Sequence, residues 1–300
     1  MYTRLAITSS KILLYIGIRV SFFTLYSAVV YLLYYTFEKH HLAIPLSIET
    51  ILGTAISILL GFRTSAAYDR WWEARIIWGG IINESRTLIR QALGFISPGP
   101  AKEDEVYQLV RYQAAWCYAL TSSLRNLPLS PEVKNKLSDS EYAALSGHTN
   151  APNAILKYME DHLAGLYKAG KVDSYHFAAM DQTLRTLCDN MGRCERIKST
   201  VFPVFYTFLT QAAIFIFALV LPFCLVEIVG AYTILITVVV VGAFGVIEMI
   251  ATYLQDPFEN RPSDVAMTAI SRNIEINLLQ MIGAADVPES IKPDKKGILM

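Results

Sequence analysis

Few of the residue patterns that usually carry catalysis or nucleotide binding occur in this chain. The segment GLYKAGKV, residues 165–172, has the glycine and lysine spacing of a phosphate-binding loop as far as Lys171. Val172 takes the place of the hydroxyl residue that would hold magnesium, and no strand is predicted before the loop. We therefore interpret this segment as the end of a helix.

Cysteine, histidine and acidic residues give no better candidate for a catalytic or metal site. Cys188 and Cys194 lie six residues apart, which is not zinc-finger spacing, and the five histidines include no pair on one helical face. Acid pairs such as residues 160–161 are typical of solvated helix faces, and we interpret His40-His41 as an exposed loop pair. The sequence does not favour an enzyme, and it predicts no catalytic residue, metal ion or cofactor.

The most informative side chains lie in residues 51–80, ILGTAISILLGFRTSAAYDRWWEARIIWGG, where an apolar segment passes into charged and aromatic residues without a break. Residues four apart form a ridge along one side of a helix. Small residues at this spacing allow the backbones of membrane helices to approach closely. The small-residue ridge predicted to pack against another helix consists of Gly53, Ser57, Gly61 and Ser65.

The ridge beside it consists of Thr54, Ile58, Phe62 and Ala66. If the small-residue ridge packs against a neighbouring copy of the chain, Ile58 and Phe62 face the axis of a ring and form two apolar collars. Such collars gate an ion pathway by excluding water. The alternative interpretation is that both side chains face lipid or the protein interior.

The composition of the whole chain agrees with a membrane location for this helix. Of 300 residues, 53% are hydrophobic and only 17% are charged, and the mean hydropathy is +0.36. These values are too apolar for a typical soluble protein. The 26 lysines and arginines balance the 26 aspartates and glutamates, so net charge indicates no nucleic-acid partner.

Four segments are long and apolar enough to be predicted as membrane-spanning helices. They are Ile12 to Phe37, Leu42 to Phe62, Pro203 to Val226 and Ile228 to Leu254. The second contains Glu49, so on hydropathy alone it also fits a buried core helix. No cleavable signal is predicted, because the first segment is too long and lacks a small-residue cleavage site.

The distribution of basic residues predicts the topology. The loop between the first two spans contains only Lys39, the turn at residues 226–230 contains no basic residue, and 17 of the 26 lie in residues 63–200. The positive-inside rule therefore places both termini and residues 63–200 in the cytoplasm. The cysteines then lie in the cytoplasm or the membrane, where no disulfide is expected.

The cytosolic insert is predicted to be helical throughout. The helices expected are Glu103 to Asn126, one capped at Ser130-Pro131, Asn150 to Gly170, Asp173 to Lys198 and, after the fourth span, Ser263 to Ile282 with Ser263 as cap and Gly283 as stop. The predicted organisation is 1–62 with spans one and two, 63–200 cytosolic, 201–254 with spans three and four, and 255–300 as a cytosolic helix and flexible tail.

Several short motifs together resemble the bestrophin family. LLGF at 59–62 followed by RWW at 70–72 is similar to the family signature. SSKILLYIGIRVSFF in the first span, TLRTLC at 183–188, PVFYTFLTQ at 203–211 and DPF at 256–258 occur in the family order. The resemblance extends from about residue 9 to 282 and is strongest to the bacterial branch.

The resemblance implies an all-α homopentameric ion channel in a bacterial inner membrane, whose partners are its own copies, the lipid bilayer and small monovalent ions. It implies a pore neck at Thr54, Ile58 and Phe62 and a cytosolic aperture at Val172. It also implies that the second span continues as a helix into a cytosolic vestibule. The interface anchors of that helix would be Arg70, Trp71 and Trp72, for which a salt bridge or core packing is the alternative.

Charge selectivity is predicted from Glu49, one helical step above Gly53. In a ring this carboxylate would be repeated at the outer mouth and would concentrate cations. Glu49 could instead pair with another span or with Arg19. The sequence favours monovalent cations; the alternatives are an anion channel, as in animal relatives, and then a transporter or a membrane-bound enzyme.

Calcium activation is not expected. Animal bestrophins follow their Pro-Phe element with an unbroken acidic run that contributes to a calcium clasp. Here the segment DPFENRPSD offers Glu259 and Asp264 with Arg261 between them. Because calcium takes about 6 to 8 oxygen ligands, the interposed cation opposes its binding.

Overall fold

The computed structural model describes residues 10–36, 43–100, 102–200, 203–294 and 297–299, with only the backbone for residues 10–16. The regular elements in these ranges are α-helices, as predicted. They are α1 (Ser10–Tyr35), α2 (Leu46–Phe95), α3 (Lys102–Leu124), α4 (Pro131–Lys134), α5 (Asp139–Leu145), α6 (Ala151–Lys168), α7 (Ser174–Ser199), α8 (Val204–Val229), α9 (Tyr232–Leu254) and α10 (Met267–Met281).

Four of these helices, α1, α2, α8 and α9, are long and apolar enough to cross a membrane. They correspond to the four predicted spans. The loop between the first two spans was predicted from residues 38–41, and these lie outside the described residues.

The second span is part of one helix of 50 residues, so the prediction that it continues beyond Phe62 is confirmed. The helix begins after Pro45, whose carbonyl accepts a hydrogen bond from the Ile48 amide. It ends at Phe95, just before the segment Ser97-Pro98-Gly99-Pro100. Because proline cannot continue a helical hydrogen-bond ladder, this segment supplies the stop signal that residues 51–80 lack.

The chain forms two compact units. Among the described residues, the first unit contains Trp71–Thr200 and those from Asp256 onwards, and the second contains those up to Arg70 and Val201–Gln255. Helix α2 therefore contributes its first half to the second unit and its second half to the first.

The core of the first unit is built around α3, which packs against α6, α7 and α10. Trp116 and Leu120 of α3 are fully buried, as is Trp78 of α2. Two predicted helix caps are confirmed: the Asn150 side chain accepts from the Asn153 amide, and the Asp173 side chain accepts from two amides of α7.

Ser130 is the N-cap residue of α4 with Pro131 in the first turn, as predicted, although its hydroxyl makes no capping bond. The predicted cap at Ser263 is wrong. Ser263 does not begin the last helix, because residues 261–264 form a turn in which the Asp264 amide donates to the Arg261 carbonyl at 3.0 Å. Helix α10 starts at Met267, and Gly283 follows its end with a φ of +69°, as expected of a stop signal.

The second unit is a bundle in which α9 packs against α1 and α8. Its main apolar cluster combines α2 with α8 through Ile56, Leu60, Ile214, Phe217, Leu221 and Leu225. Tyrosine hydroxyls tie α1 to α8, since Tyr26 donates to the Leu219 carbonyl at 3.0 Å and Tyr35 to the Val226 carbonyl at 3.2 Å. Gly230, with a φ of +56°, makes the short turn between α8 and α9.

Candidate functional site

The predicted neck residues share the uncovered face of α2. The side chain of Ile58 is 55% exposed and that of Phe62 is 68% exposed, and Thr54 is also exposed. The Thr54 hydroxyl donates to the Thr50 carbonyl at 2.8 Å, and its oxygen keeps both lone pairs as acceptors. Within one chain these three residues therefore form an apolar ridge with a polar upper end.

The opposite face of the same segment is buried within the chain. Ile56 and Leu60 are 3% and 1% exposed and pack against α8. Because an α-helix turns about 100° per residue, the side chains at 56 and 60 point away from the ridge of Thr54, Ile58 and Phe62. This contact fixes which face of α2 is left uncovered.

The small-residue ridge divides into two parts. A Cβ added at Gly53 would lie 3.0 Å from the ring edge of Phe217, so the small size of Gly53 serves a contact within the chain. A Cβ at Gly61 would meet nothing within 4 Å, and Ser57 and Ser65 are exposed. Packing within the chain explains the small size of Gly53. It does not explain why small residues occur at Ser57, Gly61 and Ser65, which form the lower part of this ridge.

Glu49 lies on the same side of α2 as Gly53, and it is buried. Its side chain is only 3% exposed, and neither carboxylate oxygen has a hydrogen-bond partner among the described residues. Nine residues separate Glu49 from Ile58, which places them on opposite faces of the helix. The carboxylate is therefore not on the exposed ridge, and within the described residues it makes no hydrogen bond to another span or to Arg19, which was the alternative to a place at the outer mouth.

A buried ion pair between α2 and α9 was not predicted from the sequence. Arg63 donates to Glu248 of α9 over 3.1 Å, and both side chains are almost completely buried. Arg63 also donates to the Thr252 hydroxyl at 3.0 Å, and the Gln211 amide of α8 donates to Glu248 at 2.8 Å. Four side chains from three helices thus form one hydrogen-bonded network, in which the buried Arg63 Nε has no partner among the described residues. One signal for this pair was present in the sequence, which was Glu248, an acidic residue inside the fourth predicted span. Arg63 gave no signal, because it was assigned to the cytosolic insert of residues 63–200.

The predicted anchor residues bind backbone carbonyls. In the second unit, Arg70 donates to the Gln255 carbonyl at 2.9 Å. In the first unit, the indole of Trp71 donates to the Ser263 carbonyl at 2.8 Å, while Trp72 is about half exposed. The role as membrane-interface anchors stays a prediction, but these bonds show that two of the three residues hold the chain around residues 255–263.

Val172, the predicted aperture residue, is 3% exposed and belongs to the apolar core of the first unit. Within the single chain this side chain packs in the core, and the aperture at Val172 stays a prediction. Its neighbours are exposed: Asp173 caps α7, and Tyr175 is 80% exposed. Amide hydrogen bonds, chiefly from His176, hold the pKa of Asp173 below its usual range.

The segment predicted not to bind calcium already uses its acidic groups. Asp264 is buried and accepts from the Arg261 amide at 2.9 Å, and Glu259 is paired with Lys198. Burial raises the pKa of Asp264 to about 6, although the hydrogen bond from the Arg261 amide opposes this shift. The carboxylates of this turn therefore have partners from the protein itself.

The described part of the chain contains no group of three His, Cys, Asp or Glu residues that could hold a metal ion. The four cysteines are free thiols, and only Cys188 is exposed. Burial raises the pKa of both Cys117 and Cys194 to about 12, which leaves these thiols protonated and unreactive near neutral pH.

Comparison with known sequences identifies the relatives of this chain. A family model described as Bacterial/Fungal Bestrophin protein matches residues 1–280. The voltage-dependent anion channel-forming protein YneE of Salmonella typhi is 33% identical over 247 residues, which cover 82% of this chain and 80% of that protein. The protein of the same name from Escherichia coli is 32% identical over 257 residues, which cover 85% and 83%.

Solved structures agree with this relationship. The crystal structure of a bacterial bestrophin homologue from Klebsiella pneumoniae matches with a TM-score of 0.86 at 30% sequence identity, covering 90% of this chain and all of the other. A mutant form of that homologue matches with a TM-score of 0.85 at 30% identity, covering 89% of this chain and 99% of the other. On sequence and fold together, the chain belongs to the bacterial and fungal bestrophin family.

Proposed function

We propose that this protein is a homopentameric channel that passes small monovalent ions through a bacterial inner membrane, with both termini in the cytoplasm. The observation that carries the proposal is the uncovered apolar ridge of Thr54, Ile58 and Phe62 on a helix whose opposite face is buried. Relatives that are about one-third identical are named as channel-forming proteins, which supports the same function.

In this proposal five copies of α2 surround the pore axis. Ile58 and Phe62 then form two rings that a partly hydrated ion must pass, and such rings hinder ion passage when water leaves them. The ring of Thr54 above them offers hydroxyl oxygens, because each hydroxyl donates its proton to the Thr50 carbonyl and keeps both lone pairs as acceptors.

Single-channel recording of the purified protein in planar bilayers tests this function. We expect discrete currents, and the double variant Ile58→Ala, Phe62→Ala should raise conductance or open probability because it removes the side chains that exclude water. The matched control is Phe208→Ala, Val239→Ala, since both residues are exposed apolar side chains on other membrane helices. Unchanged currents in an assembled neck variant would exclude the ridge from the pore, and slow saturable flux would favour a transporter.

Charge preference is a separate part of the proposal. The prediction of cation preference depended on Glu49, and the names of the relatives support the alternative, an anion channel. The reversal potential in asymmetric KCl decides between them. Because Glu49 lies on the face opposite Ile58, we expect Glu49→Gln to leave this potential unchanged, whichever ion is preferred. A shifted reversal potential in Glu49→Gln would indicate that Glu49 contributes to the conduction pathway.

We also propose that micromolar calcium does not activate the channel. Asp264 and Glu259 already bind groups of the protein, and the cationic Arg261 lies between them in the sequence. Too few carboxylate oxygens remain for a cation that takes about 6 to 8 oxygen ligands. Currents recorded with calcium buffered from nanomolar to micromolar concentrations should coincide; a steep rise in opening, or tight binding by calorimetry, would contradict this.

A further inference from the structure

The first unit contains a cavity of about 380 Å³. Its wall is formed by α3, the segment after α4, α10 and the chain that follows α10. The volume falls within the range of ligand-binding cavities, which is roughly 300 to 1,000 Å³. Helix α3 packs against α10, and the Ala284 amide donates to the Leu279 carbonyl at 3.0 Å. These contacts hold the elements around the cavity in place.

Two cationic and two anionic side chains line the cavity. Lys136 and Glu275 are already partners, since the ammonium of Lys136 donates to the carboxylate of Glu275. Glu275 also accepts from the Tyr118 hydroxyl at 2.7 Å and lies 3.8 Å from the Arg272 guanidinium. These two lining groups therefore have their partners within the protein.

The other two charged groups, Arg111 and Asp286, differ from this pair. Neither side chain makes a hydrogen bond or an ion pair with another described residue, so the two do not pair with each other. Glu141 interacts with Arg111 through charge alone, because its two carboxylate oxygens accept from the hydroxyls of Tyr112 and Ser138. The donors of Arg111 and the oxygens of Asp286 are therefore available to a ligand in the cavity.

Most of the remaining wall is apolar. Val110 and Ala114 of α3 and Leu279 of α10 are buried and line it, together with the ring of Tyr107. A few polar groups that converge on an apolar cavity are typical of sites for small molecules. With the two unpaired charged groups, this wall fits a small ligand that carries both charges and a short aliphatic group.

We propose that this cavity binds one free amino acid with a small aliphatic side chain, its carboxylate at Arg111 and its ammonium at Asp286. An arginine forms two parallel hydrogen bonds to a carboxylate, and such charge-assisted bonds are among the strongest in proteins. An anion without an ammonium leaves Asp286 facing a like charge, and a cation without a carboxylate leaves Arg111 in the same position. The aliphatic side chain packs against Val110, Ala114 and Leu279.

Ligand-observed NMR titrations of the full-length protein in detergent test the proposal. L-valine is the probe, and its analogues isovalerate and isobutylamine lack the ammonium and the carboxylate, respectively. We expect L-valine to bind about tenfold more tightly than either analogue, because each analogue leaves one charged group of the cavity without a partner.

Variants of the two charged residues should change this preference in opposite ways. Arg111→Gln should lower the affinity for L-valine to that for isobutylamine, since the carboxylate then has no cation to bind. Asp286→Asn should lower it to that for isovalerate, since the ammonium then has no anion to bind. Ala285→Phe places a ring at the cavity wall from an exposed position and should weaken the binding of all three compounds.

The matched control is Glu289→Gln, which removes an exposed acid from the same segment but not from the cavity wall. It should leave all three affinities unchanged. A lack of saturable L-valine binding, an equal affinity for L-valine and isovalerate, or an equal loss in Glu289→Gln and Asp286→Asn would overturn the proposal. Because binding is measured without current, the result does not depend on channel function.

Discussion

The two faces of the first half of α2 differ in whether contacts within the chain account for the identity of their side chains. On one face, Ile56 and Leu60 pack against α8, and Arg63 pairs with Glu248 of α9. On the other face, Ile58 and Phe62 are exposed, and no element of the described part of the chain covers them. The same helix is therefore specified on one side by contacts within the chain and on the other side by something outside it.

This difference gives each face its own test. Substitutions on the buried face should change the free energy of unfolding, whatever the protein conducts. Substitutions on the uncovered face should leave the unfolding of the chain almost unchanged and should alter assembly or conduction instead. If both faces respond alike, the distinction between them fails.

The largest effect is expected from breaking the buried ion pair. Arg63→Ala leaves Glu248 buried without its cation, and removal of one partner of such a pair costs about 3–5 kcal/mol. Equilibrium unfolding in detergent should show a loss of this size.

The double variant Arg63→Met, Glu248→Leu serves as the control for this prediction. It removes both charges and keeps apolar volume, so it should recover much of the lost stability. A single variant as stable as the unsubstituted protein, or a double variant less stable than Arg63→Ala, would contradict the account of this pair.

The sequence predicted more of the uncovered face than of the buried one. The four-residue spacing of Thr54, Ile58 and Phe62 is local, so helical periodicity alone places them on one ridge. Arg63 and Glu248 are 185 residues apart, and their pairing depends on how α2 and α9 pack, which no local pattern encodes.

Two of the site predictions concern residues that are buried in the single chain, for the same reason in both cases. Glu49 follows the helical ridge of Gly53, and that part of the ridge faces Phe217 of the same chain. Val172 precedes the cap of α7, where the apolar side chain enters the core of the first unit. In both cases tertiary packing decides which way a correctly located residue points.

A smaller effect is expected when the free energies of unfolding of Leu60→Ala and Ile58→Ala are compared. Leu60 is buried against α8, so its truncation leaves a cavity and costs about 2 kcal/mol, at the low end for such substitutions because lipid is as apolar as leucine. Ile58 has little packing to lose within the chain, and its variant should unfold like the unsubstituted protein. Denaturation of the two variants under identical conditions measures the difference, and equal losses would mean that Ile58 is covered in the folded chain.

The smallest effect concerns two glycines on the small-residue ridge. Gly53→Ala brings a methyl group to 3.0 Å from Phe217, and the crowding should cost about 1 kcal/mol in unfolding experiments. Gly61→Ala meets nothing within the chain, and alanine is the better helix former, so the folded chain should be as stable or slightly more stable.

The same pair of variants tests assembly, since a close approach of two copies of α2 needs a small residue at position 61. Gly61→Ala should therefore reduce the fraction of pentamer measured by light scattering, while Gly53→Ala should lower chain stability with less effect on assembly. A pentamer that tolerates alanine at 61 would remove the predicted role of the lower part of the ridge. The uncovered face of α2 would then contact the pore or lipid and not a second copy of α2.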